Sequence, residues 1–309
     1  MTTTTFPFND LPVELQREIF IVAAGVDHAS ALRLVLVARR VNSWWAFLTP
    51  FSRSPLTNFS TRRVQPCIYD MVTLGANDTK LFLRTMDTLP PEFFAVHVKK
   101  LCLSVSVSAK NGQRILSICT GVTDIAFWLD YLGTYPRHSI APLMTSLPLR
   151  RLSIELKHFL SLFTGPESNH GWCDTLTHLD IIFWTHELSP AIPHLEKLSS
   201  LTHLALRLRH SQAQEASLLA ILSARKSLKV LVIFDESDNP GDTTWPGDPR
   251  VVYLPYPSNV VREWEAQAKQ SPNCSWSRAE DLVQKRTAER KHSFFFFSEM
   301  KTRGAHDVY

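Results

Sequence analysis

Two histidines, His178 and His203, sit in identical Thr-His-Leu contexts 25 residues apart, with His158, His186, His194 and His210 not far from them in the chain. Neutral imidazole is a common metal ligand and a common general base, so this cluster is where chemistry would be sought first. The spacing speaks against it. No His-x-x-x-His pair with a carboxylate partner occurs, no third ligand is fixed, and no metal is expected. Signatures for nucleophiles and phosphates are missing too: there is no Gly-x-Ser-x-Gly, no P-loop and no Gly-x-Gly-x-x-Gly, and ten glycines leave little material for a phosphate-cradling loop. The expectation is a non-enzyme without a cofactor. Only an acid converging on His178 and His203 in the folded chain would revive catalysis.

Composition sets the outer bounds. With 309 residues, 44% hydrophobic and 20% charged, the chain can bury a sizeable core, and one large domain plus a small one is expected. Its five cysteines, Cys67, Cys102, Cys119, Cys173 and Cys274, are odd in number and never spaced Cys-x-x-Cys, which points to reduced thiols rather than disulfides or zinc. The opening MTTTTFPFND lacks the basic and apolar regions of a secretory leader, and no run approaches the roughly 20 apolar residues of a membrane span. A cytoplasmic or nuclear protein with no membrane partner is expected. Lys and Arg outnumber Asp and Glu by only 33 to 29, so nucleic acid is not an expected partner either.

The elements that would position the two histidines are period-two runs: KKLCLSV at 99, TDIAFWL at 123, RRLSIEL at 150, THLDIIF at 177, THLALRL at 202 and KVLVIFD at 229. Taking Leu101, Ile125, Leu152, Leu179, Leu204 and Leu231 as equivalent gives spacings of 24, 27, 27, 25 and 27. In period and Leu-x-Leu pattern these resemble leucine-rich repeats, whose repeat runs roughly 20 to 29 residues. Helical or turn-like segments separate them, such as GQRILSICTGV, PAIPHLEKLSS and QEASLLAILSARKS. The fold expectation is α/β: an irregular leucine-rich-repeat-like solenoid with a parallel sheet over residues 51–257. In that register the Leu-x-Leu side chains face inward, and His178 and His203 stand side by side facing away from the interior. Ser153, Asp180, Ala205 and Val232 would form a row on an exposed sheet face. Flanking it, Phe183, Trp184, Arg207, Arg209 and Asp235, with Glu236, are expected to anchor a protein substrate.

Past a last short strand at Val251 to Leu254, residues 258–290 read as C-terminal capping helices. Ser277 and Glu280 read as a capping box, and Trp264 and Trp276 are expected to dock the helices on the last repeat. From residue 291 the chain is basic and Phe-rich, and a disordered tail is expected.

Before the repeats, residues 6–50 hold three short helices. LPVELQREIFIVAA at 11–24 starts with Asp10, Pro12 and Glu14 and is apolar on two sides, with Leu15, Ile19, Val22 and Ala23 on one and Phe20 and Ala24 on the other. HASALRLVLVARRVNSWWAFL repeats that character, and a unit this small cannot hide both faces, so the surplus face must meet a partner. The runs L-P-x-E-L-x-x-x-I-F and L-R-L-x-L-V-x-R-R-V-N-x-W resemble the F-box of large fungal families. The resemblance implies that Leu11, Pro12, Leu15, Ile19, Leu34 and Val37 contact a Skp-type adaptor, and through it the cullin of an SCF ubiquitin ligase, while the repeat domain presents a protein substrate. One departure is Val41, where many F-boxes carry tryptophan; the indoles here fall at Trp44 and Trp45. The alternative is a leucine-rich scaffold capped by these helices and unrelated to ubiquitin.

Overall fold

A computed structural model of the chain describes residues 69–164, 170–183, 192–208, 214–235 and 247–304, with Pro12 and Leu15 in addition, and describes side chains as far as Arg290. The helical unit expected over 6–50 otherwise lies outside the described residues, and with it Leu11, Ile19, Leu34 and Val37; Pro12 and Leu15 are exposed.

Eight strands form one parallel sheet in chain order: β1 (Met71–Leu74), β2 (Lys100–Leu103), β3 (Asp124–Phe127), β4 (Arg151–Glu155), β5 (His178–Phe183), β6 (His203–Leu208), β7 (Val230–Asp235) and β8 (Val251–Pro255). All six repeated runs and the last short strand are present. The pairing sets Leu101, Ile125, Leu152, Leu179, Leu204 and Leu231 opposite one another in succession, the equivalence their spacing predicts. Only β1, MVTL, is missing from the sequence-derived set; its Val72 pairs with Leu101.

Parallel neighbours require crossovers. These hold α1 (Ala76–Met86), α2 (Pro91–His97), α3 (Ala109–Ile118), α4 (Tyr131–Thr134), α5 (Ala141–Met144), α6 (Leu156–Ser161) and α7 (Glu215–Ala224). Local chemistry sets their bounds: Pro91 opens α2 where a missing N–H costs nothing, and the Ser108 hydroxyl accepts the Asn111 N–H at the start of α3. The segment PAIPHLEKLSS shrinks to one 3-10 turn, Leu195–Lys197, after Pro193 and a left-handed His194. Gly121, after α3, lies so close to the Ala95 carbonyl that a Cβ would collide with backbone. The crossovers cover one face of the sheet, where Leu101, Phe127, Ile154, Leu179, Leu206 and Ile233 are buried in a continuous core.

The other face is covered as well. α8 (Val260–Ala268) and α9 (Ser275–Gly304) lie over it. Trp264 packs among Met71, Cys102, Ala126, Trp128 and Ile182, and Trp276 packs with Ala205, Val230, Val232 and Phe234. Three expectations are corrected here. Trp264 seats among β1, β2, β3 and β5 rather than on the last repeat, whereas Trp276 does lie among the last strands, with Val252 and Leu254 of β8 in its cluster. The capping box does not form, because α9 begins two residues before Ser277: the Ser277 hydroxyl donates to the Ser271 carbonyl, and the helix start is held by Glu263, which accepts the Ser275 N–H at 2.8 Å. Finally, residues 291–304 are helical rather than a disordered tail, in a stretch with neither glycine nor proline between Pro272 and Gly304. Residues 305–309 lie outside the described residues.

Candidate functional site

The residue immediately before the equivalent leucine or isoleucine is titratable in five successive strands. In-register pairing places Lys100, Asp124, Arg151, His178 and His203 in one line across β2 to β6, on the face that α8 and α9 cover. At one end Lys100 Nζ is 2.7 Å from Asp70 Oδ2. In the middle, Arg151 Nε lies 3.3 Å from Asp124 Oδ1, and Arg151 Nη1 donates to the Gln267 carbonyl at the end of α8 at 2.6 Å. At the other end the His178 and His203 rings stack with centroids 4.2 Å apart and planes within 2°, and Trp276 meets both edge-on.

His203 Nε2 is 2.9 Å from Glu280 Oε1 on α9, and His203 Nδ1 is 2.9 Å from Thr202 Oγ1. An acid therefore does converge on the histidine pair. Burial depresses the pKa of both rings, most strongly for His178, where the neighbouring His203 and Arg151 add to the effect; for His203 the bond to Glu280 pulls the other way without reversing it. Both imidazoles are neutral at neutral pH. With His203 neutral, Nε2–H donates to Glu280 and Nδ1 accepts the Thr202 hydroxyl, so both of its nitrogens are engaged within the fold. His178 borders a chamber of about 20 Å³ shared with Ser153, Asp180, Trp264 and Trp276, room for a single water and no substrate. Neither His158 nor His194 joins the pair. His158 is buried against Phe127 on the opposite face, its Nε2 accepting the Leu132 N–H; His194 stands beside Phe163; His186 and His210 lie outside the described residues. Among the described residues no three His, Cys, Asp or Glu side chains gather as a metal site.

A second polar line runs beside the first. Trp128 Nε1 donates to Ser153 Oγ at 2.9 Å, Ser153 Oγ donates to Asp180 Oδ2 at 3.0 Å, and Arg207 Nε donates to Asp180 at 2.8 Å. The Arg207 guanidinium lies over the Phe234 ring, 4.5 Å from its centroid, and is fully buried. This overturns the expected recognition surface. Ser153, Asp180, Ala205 and Val232, the supposed exposed row, are all buried, as are Phe183 and Arg207; Asp235 is half-buried, and Trp184, Arg209 and Glu236 lie outside the described residues. Phe183 lies in the core beneath the crossovers, on the opposite face; for the row and Arg207 the cause is the cover of α8 and α9. A signal for it was present in β3, β5 and β7, which are apolar at both parities (Ala126, Ile182, Val232), the mark of a parallel strand buried on both sides.

Where the first line reaches the surface, a cleft of about 490 Å³ opens between the strand starts and the end of α8, with Lys100, Asp124, Arg150, Arg151, Thr177 and Gln270 in its wall. Burial raises the pKa of Asp124, against the Thr123 hydroxyl at 2.7 Å and the Arg151 charge, both of which favour the ionised form. Comparison with protein-family models, curated proteins and solved structures finds no match.

Proposed function

We propose that this chain is an F-box-like substrate receptor: residues 8–48 dock on a Skp-type adaptor, and the strand domain presents a protein substrate to a cullin-RING ligase without doing chemistry itself. The observation that carries the reading is the conjunction of the F-box-like run with the strand register. Leu101, Ile125, Leu152, Leu179, Leu204 and Leu231 recur at 24 to 27 residues and pair in succession, which supports an irregular leucine-rich-repeat-like solenoid attached to that run. Pro12 and Leu15 are exposed, as an adaptor contact requires before it is made. Arg207, under α8 and α9, and Phe183, in the core under the crossovers, are both buried and are not among the substrate anchors.

The test is recovery of adaptor and cullin with tagged chain from cells. Leu11→Ala with Pro12→Ala is expected to abolish recovery and leave the strand domain folded, since truncating anchors at a hot spot costs about 2 kcal/mol or more of binding without opening a distant cavity. Unchanged recovery would remove the F-box reading. Loss of the folded state instead would favour the scaffold whose N-terminal helices are a cap.

A further inference from the structure

We infer that the cleft at the strand starts is a binding site for a compact polyanion, a small molecule bearing phosphate or clustered carboxylate groups. Three cations, Lys100, Arg150 and Arg151, line it against one carboxylate, Asp124. Asp124 is held by Arg151 and by the Thr123 hydroxyl, and Asp70 pairs with Lys100, so Arg150 is the cation of the cleft left without a carboxylate among the described residues. Arg150 is exposed, and its side chain makes no hydrogen bond or ion pair with the described residues, which leaves its guanidinium fork free to grip an anion bidentately. Lys100 gives one N–H to Asp70 and keeps two; Arg151 uses Nε and Nη1 and keeps Nη2. These spare donors stand at the starts of β2 and β4, on either side of β3, and the paired backbones hold them at fixed spacing.

The other wall adds an independent observation. Gln270 ends α8 in the left-handed region at φ 54, with the Ser271 N–H closing the turn on the Ala266 carbonyl at 2.9 Å. Glycine is the residue that adopts this conformation without strain, and helices commonly end on it. Glutamine there costs stability and places an amide at the cleft instead. A volume of about 490 Å³ suits a small ligand, and the mouth carries positive charge where a purely structural crevice would need none.

The experiment is calorimetric titration of the full chain at low ionic strength with pyrophosphate, and separately with citrate. Saturable one-site binding is expected, weakened about tenfold or more by Arg150→Ala, since a charge-assisted hydrogen bond contributes at least that factor. Gln270→Gly is the discriminating variant: it should raise the thermal midpoint and lower the affinity, a combination a merely structural glutamine would not give. Lys226→Ala, an exposed cation elsewhere, should change nothing. Tighter binding of pyrophosphate marks a phosphate ligand and tighter binding of citrate a carboxylate one; either outcome supports the site. No saturable binding of either anion, or equal affinity in Arg150→Ala and the parent chain, overturns it.

Discussion

At the scale of single residues, the buried Arg207–Asp180 pair dominates. Neither charge can reach water, so removing one partner strands the other, and Arg207→Ala should destabilise the fold by about 3 to 5 kcal/mol. Combining Arg207→Met with Asp180→Ala should cost clearly less than the sum of the single changes, because no unpaired charge remains; urea unfolding of the four proteins of the cycle measures this, and simple additivity would refute the pairing. The stacked histidines give a second residue-scale expectation. His178 and His203 stay neutral when folded but take up protons near pH 6.5 when unfolded, so below that pH the unfolded state binds more protons. Stability is therefore complete above about pH 6.5 and falls as the pH drops, with His178 contributing up to about 1.4 kcal/mol per pH unit and His203 adding in the same direction. The depressed value for His178 carries its share of the loss far into the acid range. Unfolding midpoints between pH 7.5 and 5.5 read the slope, and a chain as stable at pH 5.5 as at 7.5 would contradict it. His203, read from the sequence as facing away from the interior, links β6 to α9, and its replacement by alanine should cost more than a surface change.

At the scale of elements, the question is what α8 and α9 contribute. Their polar links to the sheet are few and well spread: Glu265 accepts the Thr73 hydroxyl at 2.8 Å, the Gln267 carbonyl accepts Arg151, Glu280 meets His203, and Arg286 donates to the Val251 carbonyl at 2.6 Å. Apolar burial supplies the rest, through Trp264 and Trp276. Trp276→Ala should thus cost about 3 to 5 kcal/mol, as large aromatic truncations in a core do, comparable with the 2 to 5 of Leu204→Ala on the other face. Thermal or urea unfolding of the two variants compares the two faces directly. A loss below 1 kcal/mol for Trp276→Ala would mean that α9 rests on the sheet without being needed by it.

For the whole molecule, a sheet covered on both faces makes the C-terminal segment part of the fold rather than an accessory. A chain ended after Asn259 would expose Cys102, Ala126, Ile182, Val230, Val232 and Phe234 together with the charged pair, an apolar area of the kind that drives self-association. It should be recovered as aggregate, or as a species that binds a hydrophobic dye, where the full chain is recovered folded; size-exclusion chromatography of both decides. A truncated chain that ran as a dye-silent monomer would show the sheet to be self-sufficient. No helix among the described residues is long and apolar enough to cross a membrane.

Leu101, Ile125, Leu152, Leu179, Leu204 and Leu231 show how far sequence alone reached. Parallel strands joined by crossovers of similar length must pair in order, so a recurring Leu-x-Leu determined the strands, their succession and their register, and with them the line of titratable residues that precedes five of these six positions. It also made neighbours of His178 and His203. What it could not determine was which face of that sheet meets water. The residues that decide this, Trp264, Gln267, Trp276 and Glu280, reach partners far off in the chain, as Glu265 does with Thr73 192 residues away, and a contact made once between distant segments leaves no period to read. Arg207 therefore looked like a surface anchor and proved to be an interior charge, and the cleft beside Arg150 became a site only when the end of α8 closed its far wall.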